Sequence, residues 1–292
     1  MRADDDVCEP CKTSGRIILA NMRSSAAVAV LALLVAGAAF SQDFGFRGGF
    51  YRGPFRQYPN VAYDGRFTFV RLKYSHLPGG DWYGGWPAWA HGYPIAEQNL
   101  MKIMNEVSDL SPHTDEINTL TFDDPELFHY PIAYIIEINW WDMTDAEARG
   151  LREFMLKGGF VIVDDFKPNR RGPRFNARGS FVGENPWEAF EAIMKRVMPE
   201  AKFFDMAAQH ALYHSFFEVD NLDVPQAYVS GPALFRGIYE DNDPSKRLQM
   251  IVNFNTDISQ FWEWSGTGLR PIDQTNEAYK LGVNYVIYGL TH

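Results

Sequence analysis

The stretch from Ala133 to Asp165 constrains the fold more than any other part of the chain. Ala133 to Ile138 is a largely apolar run that reads as a strand. Thr144-Asp145-Ala146-Glu147 follows as a capping box, in which the threonine oxygen takes an orphan amide and the glutamate reaches back. Ala148, Leu151, Phe154 and Met155 then keep helical spacing up to Gly158-Gly159, where glycine supplies the left-handed turn of a helix end. Phe160 to Val163 is a fully apolar strand that closes on two adjacent acids, Asp164 and Asp165. Two such strands, joined through one helix by short connections, predict a parallel sheet covered on both faces.

The flanking segments extend the alternation. Phe67 to Lys73 reads as a strand, and Pro94 opens a helix whose Ala96, Leu100, Ile103, Met104 and Val107 share a face. Ile117 to Phe122 and Gln249 to Phe254 read as further strands. Helices are predicted from Asn185-Pro186 onward and over Thr275 to Leu290. The fold class expected is α/β, a doubly wound, mostly parallel sheet with helices on both faces. Residues 65–292 suffice for one such domain, and 46% hydrophobic content supplies its core.

The N-terminus reads as an export signal. Arg23 precedes the apolar run Ala26 to Phe40, and small residues surround Ala38 and Ser41. Residues 1–41 are therefore expected to be leader and signal peptide, with Met22 as the true start and cleavage near Ala38 or Ser41. The mature chain would be periplasmic or secreted, without a transmembrane helix, since the run is shorter than the roughly 20 residues a span needs. Residues 42–64 mix Gly, Arg, Pro and aromatics without period, and read as a flexible linker. Both cysteines, Cys8 and Cys11, lie upstream of cleavage, which leaves the mature chain no thiol nucleophile. A net charge of -10 argues against a nucleic-acid partner.

In an open parallel sheet, ligands sit outside the carboxyl ends of the strands. Tyr74 and His76 follow the first strand, Asp124 the second, and Asp164 and Asp165 end the fourth. Neighbours on a strand point to opposite faces. At a frayed end, one of the two acids would face the crevice and the other would cap the next segment. Arg71 is expected to point into the crevice and pair with Asp164. Trp82, with Trp86 and Trp89, reads either as a stacking platform or as a lid folded onto the core. His210 and His214 stand four apart, but Ala211 takes the place of the glutamate a zinc protease needs. No phosphate loop or nucleophile elbow appears, and neither a metal set nor a cofactor is expected.

The order of these pieces resembles a bacterial family known as domain of unknown function 4159. The segments that carry the resemblance are FTFVRLKYS (67–75), DDPELFHYPIAYI (123–135), TDAEARGLREFMLKGGFVIVDDF (144–166), HALYHSFFEV (210–219) and LGVNYVIYGLT (281–291). The resemblance implies a class I glutamine amidotransferase-like, flavodoxin-like fold. In those amidotransferases the strand matching Phe160–Val163 leads to a catalytic cysteine; Asp164 and Asp165 stand there instead. The expectation is thus an exported, non-catalytic binding or scaffolding domain of the cell envelope, with an envelope protein or glycan as partner. The alternative is a hydrolase of an envelope sugar or amide, with Asp164 or Asp165 as base and His76 or His210 assisting.

Overall fold

A computed structural model describes residues 55–76, 81–82, 85–166, 186–224 and 232–292. The leader, Cys8 and Cys11, and the first part of the linker lie outside these residues. Seven strands form the main sheet: β1 Val70–Leu72, β2 Asn118–Leu120, β3 Ile132–Ile136, β4 Phe160–Phe166, β5 Phe204–Asp205, β6 Leu234–Tyr239 and β7 Leu248–Phe254. Their order across the sheet is β2-β1-β3-β4-β7-β6-β5. The run from β2 to β7 is parallel, while β6 is antiparallel to both β7 and β5. The parallel run has the 2-1-3-4-5 order of flavodoxin-like sheets, in which winding reverses between the first and third strands. The crevice left at that reversal places the site described below.

Five α-helices accompany the sheet: α1 Ile95–Val107, α2 Asp145–Leu156, α3 Pro186–Val197, α4 Ser259–Glu263 and α5 Ile272–Thr291. α1, α4 and α5 pack on one another, as do α2 and α3. The capping box forms with both limbs: Thr144 Oγ1 accepts from the Glu147 amide, and Glu147 Oε2 accepts from the Thr144 amide. Gly150 lets α2 approach the chain after β2, since a Cβ there would stand 2.2 Å from the Phe122 carbonyl oxygen. Among the described residues no helix is long and apolar enough to cross a membrane.

Residues 55–64, read from sequence as the end of a linker, lie against the fold without forming helix or strand. Asn60 offers its side-chain amide to both the N–H and the C=O of Thr119, at 2.8 and 3.0 Å. Asn118 returns the same pair of bonds to Val61, at 2.9 and 3.0 Å. Asn60 thus satisfies Thr119 on the outer edge of β2, and the Val61 segment covers an edge otherwise open to pairing with another chain.

Candidate functional site

The site begins with how three strand ends are turned. Glu137, Asp165 and Asn255 all have left-handed backbone, with φ of 52°, 49° and 60°. They sit at or just past the ends of β3, β4 and β7. Such conformations are uncommon for residues other than glycine. Between Val252–Val163 and Phe254–Phe166 the β4 side advances one residue more than β7, which is a bulge. A bulge of this kind re-aims side chains. Asp164 and Asp165 are consequently sent to different tasks.

Asp164 is buried and holds the start of α4. Its carboxylate accepts from the amides of Ser259 (2.9 Å) and Ile258 (3.3 Å), from Tyr134 Oη (3.1 Å) and from Asn253 Nδ2 (3.2 Å). Burial, then the charge of Asp257, push its pKa up to about 7, against the Ser259 amide and Asn253, which favour the anion. Asp165 instead accepts from His91 Nδ1 at 2.9 Å, and Glu137 Oε1 stands 3.5 Å from the same nitrogen. On the far side of the ring, Glu263 Oε2 lies 3.9 Å from His91 Nε2. All four residues are at most 8% exposed. Burial opposes a charge on His91, but hydrogen bonds to Asp165 and Glu137 override it and hold its pKa well above the usual value.

His91 is held in place from β1. Arg71 Nη1 donates to the carbonyls of Trp89 and His91, at 2.9 Å each. The guanidinium pairs with Glu97 in the first turn of α1 and lies over the Tyr134 ring. This corrects the expected Arg71–Asp164 pair: the acid reached by Arg71 lies on the adjacent helix, and Asp164 is taken by α4. The single Tyr74 Oη proton is shared between the carbonyls of Ile136 (2.8 Å) and Glu137 (2.7 Å), tying the turn that carries Glu137.

The remaining candidates fall elsewhere. His76 lies on a short strand, Ser75–His76, paired with Trp141–Asp142. Asp124 caps a 3-10 turn by accepting from the Glu126 amide. Trp82 is on a two-residue strand opposite Trp86, and its side chain lies outside the described residues. Trp89 is buried in the core, edge-on to Phe55, whereas Trp86 is half-buried. His210 caps the turn Ala211–His214 by accepting from the Leu212 amide, and packs beside Tyr239 and Tyr288. Burial, then His292, lower its pKa. The neutral ring therefore contributes stability above about pH 6.5, and that contribution is lost as pH falls through the depressed folded value. His210→Asn keeps a capping oxygen and should flatten the fall in urea stability between about pH 7 and 5. Superimposable pH profiles for the two proteins would refute this.

Beside the cluster, at the start of α1, opens a cleft of about 280 Å3. Arg56, Tyr58, Trp86, Tyr93, Gln98 and Glu263 are among its walls. Glu263 thus faces the cleft and the His91 ring together. The site therefore joins His91, Glu137 and Asp165, of which only Asp165 was singled out from sequence. Glu137 was passed over inside an apolar run. Glu97 carried a usable signal, since it stands three, four and seven residues before the buried Leu100, Met101 and Met104.

No curated protein matches this chain. A family profile described as "Domain of unknown function (DUF4159)" matches residues 68–290, about three quarters of the chain. That span holds the whole sheet, the His91 cluster and Arg71 with its partner. By this match the chain belongs to the family of the domain of unknown function DUF4159.

Proposed function

We propose that this protein is an exported, non-catalytic binding domain of the bacterial cell envelope, which takes a saccharide unit of an envelope glycan in the cleft beside α1. The observation that carries this reading is the lining of that cleft. Tyr58, Trp86 and Tyr93 line it with aromatic side chains, while Gln98, Asp115 and Glu263 add polar ones. A sugar presents both kinds of surface, and aromatic side chains suit such half-wet contacts. Export rests on the signal-like segment between Met22 and Ser41.

The test is thermal melting of the purified chain with cell-wall sugars and muropeptides, alongside Trp86→Ala and Gln98→Ala. A ligand at a hundredfold excess over its dissociation constant should add about 2.7 kcal/mol. Both variants should weaken the affinity at least about tenfold, by about 1.4 kcal/mol in binding, which about halves that stabilisation. Absence of any shift across the glycan panel would overturn the reading. A second reading, a hydrolase, is favoured by the His91–Asp165 hydrogen bond at 2.9 Å beside a second carboxylate, Glu137. Release of new reducing ends or free amines in the same mixtures, lost in Asp165→Asn, would establish it in place of the first.

A further inference from the structure

We infer that His91, Glu137 and Asp165 form a binding site for one divalent first-row transition cation, of the Zn2+ or Mn2+ class. Each residue offers one donor atom, and the three atoms lie within 4.8 Å of one another. Around an ion with bonds of about 2.0–2.2 Å, adjacent ligand atoms stand about 2.9–3.5 Å apart. His91 Nδ1 is 2.9 Å from Asp165 Oδ2 and 3.5 Å from Glu137 Oε1, so two of the three separations already match those around an ion that displaces the Nδ1 proton to solvent. The third, between the Glu137 and Asp165 oxygens, is no more than 4.8 Å. One imidazole with two carboxylates selects a cation that accepts nitrogen as well as oxygen, rather than Ca2+, which takes six to eight oxygens.

The surroundings point the same way independently of the three ligands. A histidine on a metal commonly gives its other ring nitrogen to a carboxylate, which fixes the ring. Glu263 Oε2 stands on the side of the ring away from Asp165 and Glu137, 3.9 Å from His91 Nε2, an ion-pair contact longer than a hydrogen bond. Each ligand is also fixed through its backbone. Arg71 holds the His91 carbonyl, Tyr74 holds the Glu137 carbonyl, and the β4 bulge turns Asp165 off the pleat. The ligands come from three segments that follow or end β1, β3 and β4, at the strand-order reversal where this type of sheet binds its ligands. The inference holds whether the neighbouring cleft binds its ligand or cleaves it.

The test uses the full chain carrying Cys8→Ser and Cys11→Ser, which keeps thiol zinc out of the count. After chelator treatment and dialysis, Zn2+ and Mn2+ are titrated separately, with bound metal read by elemental analysis and affinity by calorimetry. The expected result is one equivalent per chain with a raised melting temperature. Glu137→Gln and Asp165→Asn, which preserve shape, should each weaken binding by at least about tenfold, and Glu263→Gln by about tenfold or less. Glycan binding is read in separate titrations, so failure of one proposal leaves the other standing. The inference is overturned if neither cation binds stoichiometrically, or if binding persists undiminished in both ligand variants. Should a variant misfold, the stoichiometry and melting shift of the parent chain still decide it.

Discussion

Glu97→Gln is expected to lower the stability of the folded chain by about 3–5 kcal/mol, the range for removing one partner of a buried ion pair. Arg71 and Glu97 are both fully buried, and the guanidinium keeps its charge at any accessible pH. Glutamine has the shape of glutamate, so the loss reports charge rather than a cavity. For a domain of this size the melting temperature should fall by about 10 °C or more. The effect should also reach the site, because the same guanidinium holds the Trp89 and His91 carbonyls. Replacing both partners, as Arg71→Met with Glu97→Met, should recover part of the stability, since an apolar pair avoids the desolvation penalty. It should not restore the His91 position, because two carbonyls then lose their donor. A loss under about 1 kcal/mol in Glu97→Gln would show that the pair is weaker than its burial implies.

The contrast between Arg71 and its surroundings also marks what a sequence reading reaches. The β3-α2-β4 unit was legible because each of its signals is local: two apolar runs, a capping box and a glycine stop lie within 35 residues. β6 was missed because Arg236 and Gly237 interrupt its pattern, and its long pairing with β7 is a fact of topology. The five-residue α4 is too short for periodicity to mark. The site was harder still. His91 and Asp165 are 74 residues apart, and only the order of strands brings them together. Asp165 was found by position alone, at the end of an apolar strand. Glu137 belongs to the site because of a left-handed backbone that nothing in IAYIIEINW announces, since the residue takes a conformation favoured by glycine. The Arg71 partner was placed on the wrong acid because the crevice is crowded with them, and the buried face of α1 was read from its apolar members only.

The second large effect is expected at Asn284, in the last helix and far in sequence from every residue of the site. Its side chain is fully buried and serves four backbone groups at once. Oδ1 accepts from the amides of Phe216 (3.1 Å) and Phe217 (2.8 Å), and Nδ2 donates to the carbonyls of Tyr213 (2.9 Å) and Phe217 (2.8 Å). One amide therefore fastens the turn around residues 211–217 to α5. Asn284→Leu keeps the branching and heavy-atom count and adds apolar surface, so a purely hydrophobic view would expect gain. The opposite should be observed. Each buried backbone group left without a partner costs about 1–3 kcal/mol. Because Phe216 is partly exposed, some of the four will reach water. The net loss should be about 3–5 kcal/mol, with the folded state kept at moderate temperature. Hydrogen exchange provides the site-specific check: the Phe216 and Phe217 amides should lose protection in the variant, while the amides of β3 and β4 keep theirs. If those two amides remain as protected as in the parent chain, the turn is held by its packing on Tyr213 and not by Asn284. A stability loss smaller than about 1 kcal/mol would carry the same conclusion.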